Sequence, residues 1–437
     1  MCSFRSILAA KPSVAGLASR ALEEVPRQGL GAIVMGADYR GLGVVRSLGR
    51  RGVPVWVLTA GGQLLAATSR YARRRLRWPA GDDRKRIDFL LELAAKHNLK
   101  GWALFATDDY SVALLAHHHD LLAARFRLAV PPWNVLGWVC DKRLMHQLAD
   151  RVAVDQPWTR CPRNREDMAQ IACPFPVILK PAMRLELNRF TAAKAWRVTD
   201  RQSLLARYDE ACTLVAPDLI LLQEVIPGGG ESQFSFAALC QDGYPLAWVV
   251  ARRARQIPAE FGRFSTYVET VDEGGVVEPA ARMLSAIGFT GLVEVEFKRD
   301  ARDGRYKLLD INPRVWGWHT LCSRAGVDFP YLLWRLMQGE PVSEVRGRAG
   351  VRWVRMSTDL PAAILEVLRG RLTLGAYVRS LGGPLESAVF ASDDPLPGLL
   401  ELPLLAYLLG KRFLRVKEPV LRLFGTHEPQ LNGRSRI

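Results

Sequence analysis

Two neighbouring segments of the chain alternate apolar and polar residues so strictly that they predict paired β-strands. In GLVEVEFKRD, Glu294 and Glu296 share one face, and the valines between them share the other. In KLLDINPR, Asp310 and Asn312 share one face in the same way before the strand stops at a proline. The chain must therefore place several oxygen-bearing side chains on one side of a sheet.

The connection between these two strands predicts how they pair. It contains an Asp-Gly pair at 303–304, which is a strong signal for a tight β-hairpin turn. The strands should therefore run antiparallel, and in one plausible register Glu296 lies opposite Asp310 and Glu294 lies opposite Asn312.

Such a pairing raises an electrostatic problem, because like charges directly opposite each other destabilise a sheet. A solvated sheet face is one solution. A hard divalent cation is the other, since Mg²⁺ takes oxygen ligands from few protein carboxylates and completes its shell with phosphate oxygens. The hairpin thus favours Mg²⁺, or Mn²⁺ in its place, together with a phosphate-bearing ligand.

Residues 30–60 predict a second kind of unit, a strand, an amphipathic helix and a further strand. The glycines Gly36, Gly41 and Gly43 do not form the GxGxxG fingerprint of dinucleotide-binding folds. The second strand also ends at Thr59, where such folds carry an acid that binds a ribose. The unit indicates a Rossmann-like α/β domain without a nicotinamide site.

Six motifs occur in a fixed order along the chain: Asp141-Lys142, VILKP with Lys180, LLQEVIPGGGES, ARRARQIP, GLVEVEFKRD and LLDINPR. In this order they resemble the ATP-grasp superfamily, and within it the predicted carboxylate–amine ligase type. The resemblance covers roughly residues 30–345.

The resemblance implies an α/β protein, with an α+β nucleotide domain of the ATP-grasp fold. An N-terminal Rossmann-like pre-ATP-grasp domain and a helical C-terminal tail would flank it. The expected divisions are an N-terminal extension at 1–28, the pre-ATP-grasp domain at 29–135, the ATP-grasp domain at 136–345 and a C-terminal accessory region at 346–437.

The resemblance also implies which residues bind ATP. Lys142 and Lys180 would place compact positive charges against the phosphates. Glu231, which follows three glycines, would accept hydrogen bonds from the ribose. The hinge beside the adenine would consist of Gln223, Glu224, Val225 and Ile226. Surface lysines and a plain hairpin loop are the alternative interpretations.

Glu296, Asp310 and Asn312 match the family's Mg²⁺ ligands, although the family usually carries Glu where this chain has Asp310. The shorter acid can still bind a metal.

Two arginines resemble those that hold the transferring phosphoryl group or the acyl phosphate, namely Arg255 and Arg314. Planar donors suit phosphate oxygens on which charge develops in the transition state. Arg252 and Arg253 lie in the same basic run as Arg255 and are the alternatives. A basic surface cluster is the interpretation without function.

One segment departs from the family pattern. ATP-grasp enzymes usually carry a glycine-rich lid over the phosphates, but residues 182–196 of this chain contain no glycine. Lys194 is expected to supply positive charge there in place of backbone amides. Whether this segment closes over ATP stays open.

The composition points to anionic partners and a reducing compartment. Lys and Arg exceed Asp and Glu by 16, with a pI of about 9.8, which suits nucleotides or acidic surfaces. The seven cysteines include no CxxC pair, and no apolar run reaches a bilayer-spanning length. We expect a cytoplasmic protein, with peripheral contact at the inner face of the membrane as an alternative, and no nucleic-acid partner.

The favoured function is an ATP-dependent carboxylate–amine ligase that forms an amide through an acyl phosphate and releases ADP and phosphate. Its partners would be ATP, a small carboxylate and an amine, with a homodimer as one assembly. The alternatives are a kinase-like ATP-grasp phosphoryl transfer and a non-catalytic nucleotide-binding protein. The identity of the two substrates cannot be deduced from the sequence.

The C-terminal tail combines leucines with basic residues between 395 and 425. Prolines and Glu401 interrupt its apolar stretch, so it should not cross a membrane. It is expected to pack on the core or on a second subunit, or else to lie in an anionic membrane interface.

Overall fold

The computed structural model of the 437-residue chain describes residues 30–183, 188–257, 262 and 264–408. The expected N-terminal extension and the basic residues of the tail beyond 408 lie outside the described residues.

The N-terminal layer is a five-stranded, all-parallel sheet in the order β3-β2-β1-β4-β5. Its strands are β1 (Ala32–Met35), β2 (Val55–Thr59), β3 (Ala72–Arg77), β4 (Ala103–Ala106) and β5 (Arg127–Leu128). Its helices are α1 (Tyr39–Gly49), α2 (Asp83–His97), α3 (Asp109–His117) and α4 (His119–Ala123). The strand–helix–strand unit expected at residues 30–60 is confirmed, and β1 is buried on both faces as parallel strands usually are.

Two helices of this layer begin beside the carboxyl ends of the central strands. The Asp38 carboxylate accepts hydrogen bonds from the backbone N–H groups of Arg40 and Gly41 and so begins α1. Asp108 begins α3 in the same way, by accepting from Ser111. In open α/β sheets this edge is where ligands usually bind.

The second layer is a four-stranded antiparallel sheet in the order β6-β9-β7-β8, termed the small sheet. Helices α5 (Trp133–Cys140) and α6 (Lys142–Arg151) lead into it. Its elements are β6 (Thr159–Arg160), α7 (Arg165–Gln170), β7 (Val177–Pro181), α8 (Arg189–Ala193), β8 (Trp196–Val198), α9 (Arg201–Cys212) and β9 (Ile220–Glu224). Its apolar side chains form a core of their own.

The third layer, termed the large sheet, has eight strands in the order β14-β13-β10-β11-β12-β16-β17, and β15 pairs with β11. Its strands are β10 (Gln233–Gln241), β11 (Tyr244–Ile257), β12 (Phe264–Thr270), β13 (Gly291–Arg299), β14 (Tyr306–Asn312), β15 (Val345–Arg346), β16 (Arg352–Val354) and β17 (Leu385–Ser387). Its helices are α10 (Val277–Ala286), α11 (His319–Arg324) and α12 (Phe329–Met337). The large sheet and the N-terminal sheet contribute to shared apolar clusters, so these two layers are packed on each other.

The region after residue 346 differs from the helical tail expected from the sequence. It contains α13 (Met356–Leu368), α14 (Leu374–Ser380) and a helix at residues 396–408, termed the C-terminal helix. It also contributes β16 and β17, which extend the large sheet beyond β12. These strands cover an edge that would otherwise leave backbone groups unpaired, and their pairing is not visible in local sequence. Within the described ranges, no helix has the length and apolar character needed to span a bilayer.

Candidate active site

The β13–β14 hairpin has the register expected from the sequence. Glu296 lies opposite Asp310, and Glu294 lies opposite Asn312. Both glutamates are buried, with 3% of Glu294 and 8% of Glu296 exposed. The hairpin therefore places three carboxylates and one amide on a face that is shielded from solvent, where each charge needs a partner.

Two of these carboxylates are paired with cations. The Lys142 ammonium, at the start of α6, donates to Asp310. The Arg253 guanidinium in β11 donates to Glu296 at an Nη2–Oε1 distance of 2.9 Å. Burial opposes ionisation of both acids. The neighbouring lysines nevertheless hold the pKa of Asp310 well below its usual range, and Arg253 lowers the pKa of Glu296, so both are charged at neutral pH.

Glu294 is held by neutral donors instead. Its Oε1 accepts hydrogen bonds from the Ser235 hydroxyl at 3.0 Å and from the Trp318 indole N–H at 2.9 Å. Its Oε2 accepts from the Asn312 amide at 3.2 Å. Burial and the nearby Glu296 raise the pKa of Glu294 to about 7. Near neutral pH this carboxyl can therefore exist in either protonation state.

Two further lysines approach the hairpin from the small sheet. Lys180, in β7, is 7% exposed, and burial together with Lys142 lowers its pKa to about 7. Lys194 follows α8 with a left-handed backbone (φ 67°), and its ammonium donates to the Gly262 carbonyl at 3.1 Å. The positive charge of Lys194 also acts on Glu296 and Asp310. The small sheet thus adds positive charge opposite the carboxylates.

Arg314, just after β14, lies on the other side of the hairpin. Its guanidinium donates to Asp109 at the start of α3, and its Nη2 is 3.5 Å from the Asn312 amide oxygen. Burial disfavours the charge, but Asp109 outweighs it and raises the pKa of Arg314. Arg314 therefore links the N-terminal layer to the hairpin face that carries the expected metal ligands.

Arg255 does not lie where the sequence analysis expected it. It donates to both carboxylate oxygens of Asp359 in α13, at 2.9 and 2.7 Å, and packs over the Tyr267 ring. A β-bulge in β11 leaves Ala254 without a partner on β12, so Arg253 and Arg255 point to opposite faces. Arg253, one of the two alternatives to Arg255 in the sequence analysis, is the arginine that lies beside Glu296.

The expected hinge connects the small sheet to the large sheet. Gln223 and Glu224 end β9, and the Gln223 amide donates to the Thr159 hydroxyl at 2.9 Å. Glu224 is paired with Arg302 at 2.7 Å. The Ile226 carbonyl accepts from the Lys298 ammonium at 2.9 Å. The hinge backbone therefore lies at the seam between the two sheets.

Glu231 lies in a short 3₁₀ turn between β9 and β10. Its carboxylate accepts from the Gly229 N–H at 2.9 Å and is exposed. The ribose role that the sequence analysis gave it remains a prediction.

The glycine-free segment 182–196, which occupies the position of the family's lid, is only partly described, because residues 184–187 lie outside the described ranges. After them, Asn188 and Thr191 form a reciprocal capping box that begins α8.

A cavity of about 660 Å³ lies between the three layers and the C-terminal helix. Several expected site residues line it, namely Lys142, Lys194, Glu296, Asp310, Asn312 and Arg314. Other expected residues do not line it, namely Lys180, Gln223, Glu224, Val225, Ile226, Glu231 and Arg255. The structure therefore brings the three expected metal ligands and some of the expected phosphate-binding residues to one cavity, while Lys180, Arg255 and the expected adenine and ribose residues do not line it.

The donor set on the hairpin fits a hard divalent cation in chemical type. Glu296 and Asp310 are ionised and lie opposite each other on adjacent strands. Asn312 also carries an amide oxygen, which lies 3.5 Å from the Arg314 guanidinium while the amide nitrogen donates to Glu296 at 3.0 Å. Among residues that the structure describes, no group of three or more His, Cys, Asp and Glu side chains has the spacing of a metal site. The expected ligands Glu296, Asp310 and Asn312 do not form such a group, because the third ligand is an amide.

Sequence reasoning gave no site role to Asp109, Glu294 and Trp318, which line the cavity, and it named Arg253 only as an alternative to Arg255. The alternation of β13 already placed Glu294 beside Glu296, so its signal was present. Asp109 and Trp318 meet the hairpin only through the packing of separate layers.

Comparisons with known proteins agree with this architecture. Residues 218–358 match the family model described as ATP-grasp in the biosynthetic pathway with Ter operon. A D-aspartate ligase of Enterococcus faecium (strain Aus0004) is 23% identical over 304 residues, which cover 64% of this chain and 70% of that protein.

Solved structures show the same fold. An L-amino acid ligase from Bacillus licheniformis aligns with a TM-score of 0.56 at 15% identity, covering 70% of this chain and 74% of that one. The biotin carboxylase domain of the Hydrogenobacter thermophilus 2-oxoglutarate carboxylase, in complex with MgADP and bicarbonate, aligns with a TM-score of 0.60 at 14% identity, covering 74% of each chain. With its layered architecture and its hairpin, the chain shares the fold of these ligase and carboxylase structures, and residues 218–358 are similar in sequence to an ATP-grasp family.

Proposed function

We propose that the protein is an ATP-dependent carboxylate–amine ligase. The γ-phosphoryl group of ATP passes to a carboxylate oxygen of one substrate, which gives an acyl phosphate and ADP. The amine of the second substrate then attacks the acyl carbon, phosphate leaves with the C–O bonding electrons, and the amine gives up a proton as the amide forms.

The observation that carries this proposal is the concentration of opposite charges around one cavity. Lys142, Lys194 and Arg253 line it from three directions, facing Glu296 and Asp310. Fixed cations aimed at phosphate oxygens, next to carboxylates suited to a divalent cation, are the features that phosphoryl transfer requires.

Arg253 adds a specific donor to this arrangement. Its Nη2 is engaged by Glu296, but its buried Nε has no hydrogen-bond partner among the described residues. An orphaned donor inside a charged cavity fits a phosphoryl oxygen of a bound ligand. In this proposal Arg253 and Arg314 hold the transferring group, and Arg255 stabilises the packing of α13.

The other expected residues are assigned to the metal and to the parts of ATP. Glu296, Asp310 and Asn312 would hold Mg²⁺ or Mn²⁺, which when bound neutralises charge on the phosphate oxygens. Lys142, Lys180 and Lys194 would contact the phosphates. The hinge at residues 223–226 would contact the adenine through its backbone, and Glu231 would contact the ribose.

A paired-substrate assay tests this function. ADP release is measured with Mg-ATP and a panel of amino acids, supplied singly and in carboxylate–amine pairs, and D-aspartate is included because a relative is named for it. We expect ADP release to require both an acid and an amine and to equal amide formation. Release with a hydroxyl compound alone would favour a kinase-like transfer. Tight ATP binding without turnover would favour a non-catalytic protein.

A contact with an anionic membrane surface is a separate proposal for the C-terminal region. The exposed side of α13 is an apolar stripe of Met356, Leu360, Ile364 and Leu368, spaced four residues apart, and Leu368 is 78% exposed. Arg369, Arg371 and Arg379 follow the stripe with mostly exposed side chains. An apolar face bordered by arginines matches an interface between acyl chains and anionic headgroups.

Vesicle sedimentation tests this contact with phosphatidylcholine vesicles that contain or lack phosphatidylserine. We expect sedimentation only with the anionic vesicles, weakening with salt and reduced by Ile364→Glu. Failure to sediment at low salt would overturn the contact, and a dimer that Ile364→Glu disrupts would assign the stripe to a second copy.

A further inference from the structure

The cavity extends from the charged hairpin to the C-terminal helix. Four residues of this helix line it: Glu401, Leu404, Leu405 and Leu408. They are spaced three, four and seven residues from the first, so they form one face of the helix. After Glu401, all the residues of this helix face that line the cavity are leucines.

Further apolar residues of other segments line the same cavity. They are Leu64 and Leu65, in the loop after β2, and Phe264, at the start of β12. The helix lies close to this loop, since a Cβ added to Gly62 would be 3.2 Å from Leu408 Cδ2. The leucines of the two segments therefore enclose an apolar space, termed the leucine end.

The charged residues that border the leucine end neutralise each other. Arg40 pairs with Asp38 at 2.7 Å, and Arg355 pairs with Glu401 at 3.0 Å. Glu401 also accepts from the Ser357 hydroxyl at 2.6 Å. A ligand group at this end therefore meets apolar side chains and ion pairs that are already satisfied, and it needs no charge of its own.

The leucine end is continuous with the reaction site. The Arg355 guanidinium stacks 4.3 Å from the centre of the Tyr39 ring, and Tyr39, Gly317 and Trp318 line the cavity between it and Glu294. From Glu401 to Leu408 the helix rises by about 10 Å, at 1.5 Å per residue. The hairpin and the leucine end therefore line one continuous cavity, and the leucine end extends along about 10 Å of the helix.

We propose that the leucine end is a substrate subsite that binds the uncharged hydrocarbon or aromatic part of one of the two substrates. This inference rests on the proposed ligase function. The substrate class is an amphiphilic carboxylate or amine, whose reacting group lies at the hairpin and whose apolar group lies against the C-terminal helix. The helix thereby determines specificity without touching the reacting atoms.

Chain-length dependence tests the subsite. ADP release by the full-length protein is measured with linear carboxylates from acetate to octanoate and one amine, and with linear amines from methylamine to octylamine and one carboxylate. We expect KM in one series to fall roughly two- to fourfold per methylene until the leucine end is filled. Equal KM values along both series would overturn the subsite.

Two substitutions on the same helix make a matched pair. Leu405→Asp should remove most of the chain-length dependence of KM. Leu402→Asp should preserve the dependence, because Leu402 is 65% exposed on the other side of the helix. Leu405→Trp should shift the lowest KM to shorter substrates. This variant replaces Leu405→Asp in the test if the aspartate variant does not fold. Equal behaviour of the variants at 402 and 405 would overturn the proposal.

Direct binding separates this inference from the ligase proposal. Calorimetric Kd values for the same compounds are measured on the protein with Mg-ADP. Chain-length-dependent binding without ADP release would refute the ligase function and support the subsite. A protein truncated after residue 408 is measured in the same way. If it binds ligands of every length more tightly by the same factor, the leucine end is the binding place of the protein's own C-terminal residues, and the substrate subsite is refuted.

Discussion

The sharpest prediction concerns two arginines that the sequence alone cannot separate. Arg253→Met and Arg255→Met each remove a guanidinium and keep an apolar stem of similar length. Arg253→Met leaves Glu296 without its cation, and Arg255→Met leaves Asp359, which is fully buried, without its own. Breaking a buried ion pair costs about 3–5 kcal/mol, so both variants should lose that much free energy of unfolding.

Their effects on turnover should differ sharply. Arg253 lines the cavity beside a metal-type carboxylate and has an unpartnered Nε, so its loss should lower kcat by about 10²–10³. Arg255 lies on the opposite face of β11, against α13. Its variant should keep a near-wild-type kcat per folded molecule.

The assay combines urea unfolding with steady-state ADP release, and the rate is normalised to the folded fraction. The lysine variants serve as controls, because Arg253→Lys restores charge and should recover part of the lost turnover. Equal losses of turnover in Arg255→Met and Arg253→Met, or a wild-type kcat in Arg253→Met, would refute the assignment of Arg253 to the site.

Three further predictions address the metal, the ribose and the fold. Asp310→Ala should lower ATP turnover more than tenfold, by about 1.4 kcal/mol or more, with an unchanged circular dichroism spectrum; a wild-type rate at limiting Mg²⁺ would contradict the metal assignment. Glu231→Ala should weaken ATP binding by about 1–3 kcal/mol and abolish the discrimination against 2′- and 3′-deoxy analogues; full discrimination in the variant would place the ribose elsewhere. His319 is buried, and burial lowers its pKa from 6.5 to about 4. Between these two pH values the unfolded chain therefore binds more protons than the folded chain. The free energy of unfolding should fall by about 3 kcal/mol as the pH drops through that window. In His319→Asn, urea unfolding at several pH values should show that this part of the acid sensitivity has disappeared, and an unchanged slope would contradict the assignment.

The sequence alone determined that β13 and β14 form a hairpin and which of their side chains share a face, because alternation along a strand is a local property. The observed register also depends on a bulge after Glu296 and on a connection longer than a two-residue turn, so the sequence offered it only as one of several registers. The sequence also carried the order of the motifs, and through it the resemblance to the ATP-grasp superfamily. Glu294 was within reach of the same alternation argument.

The tertiary structure alone decided which arginine enters the cavity and what closes its far end. A single bulge in β11 reverses the faces of Arg253 and Arg255, and such a bulge depends on how the strand pairs with its neighbours. The two C-terminal strands cover the edge beyond β12, and Glu401 meets Arg355 across 46 residues. These contacts join segments that are distant in the chain, and local sequence patterns carry no information about which distant segments will meet.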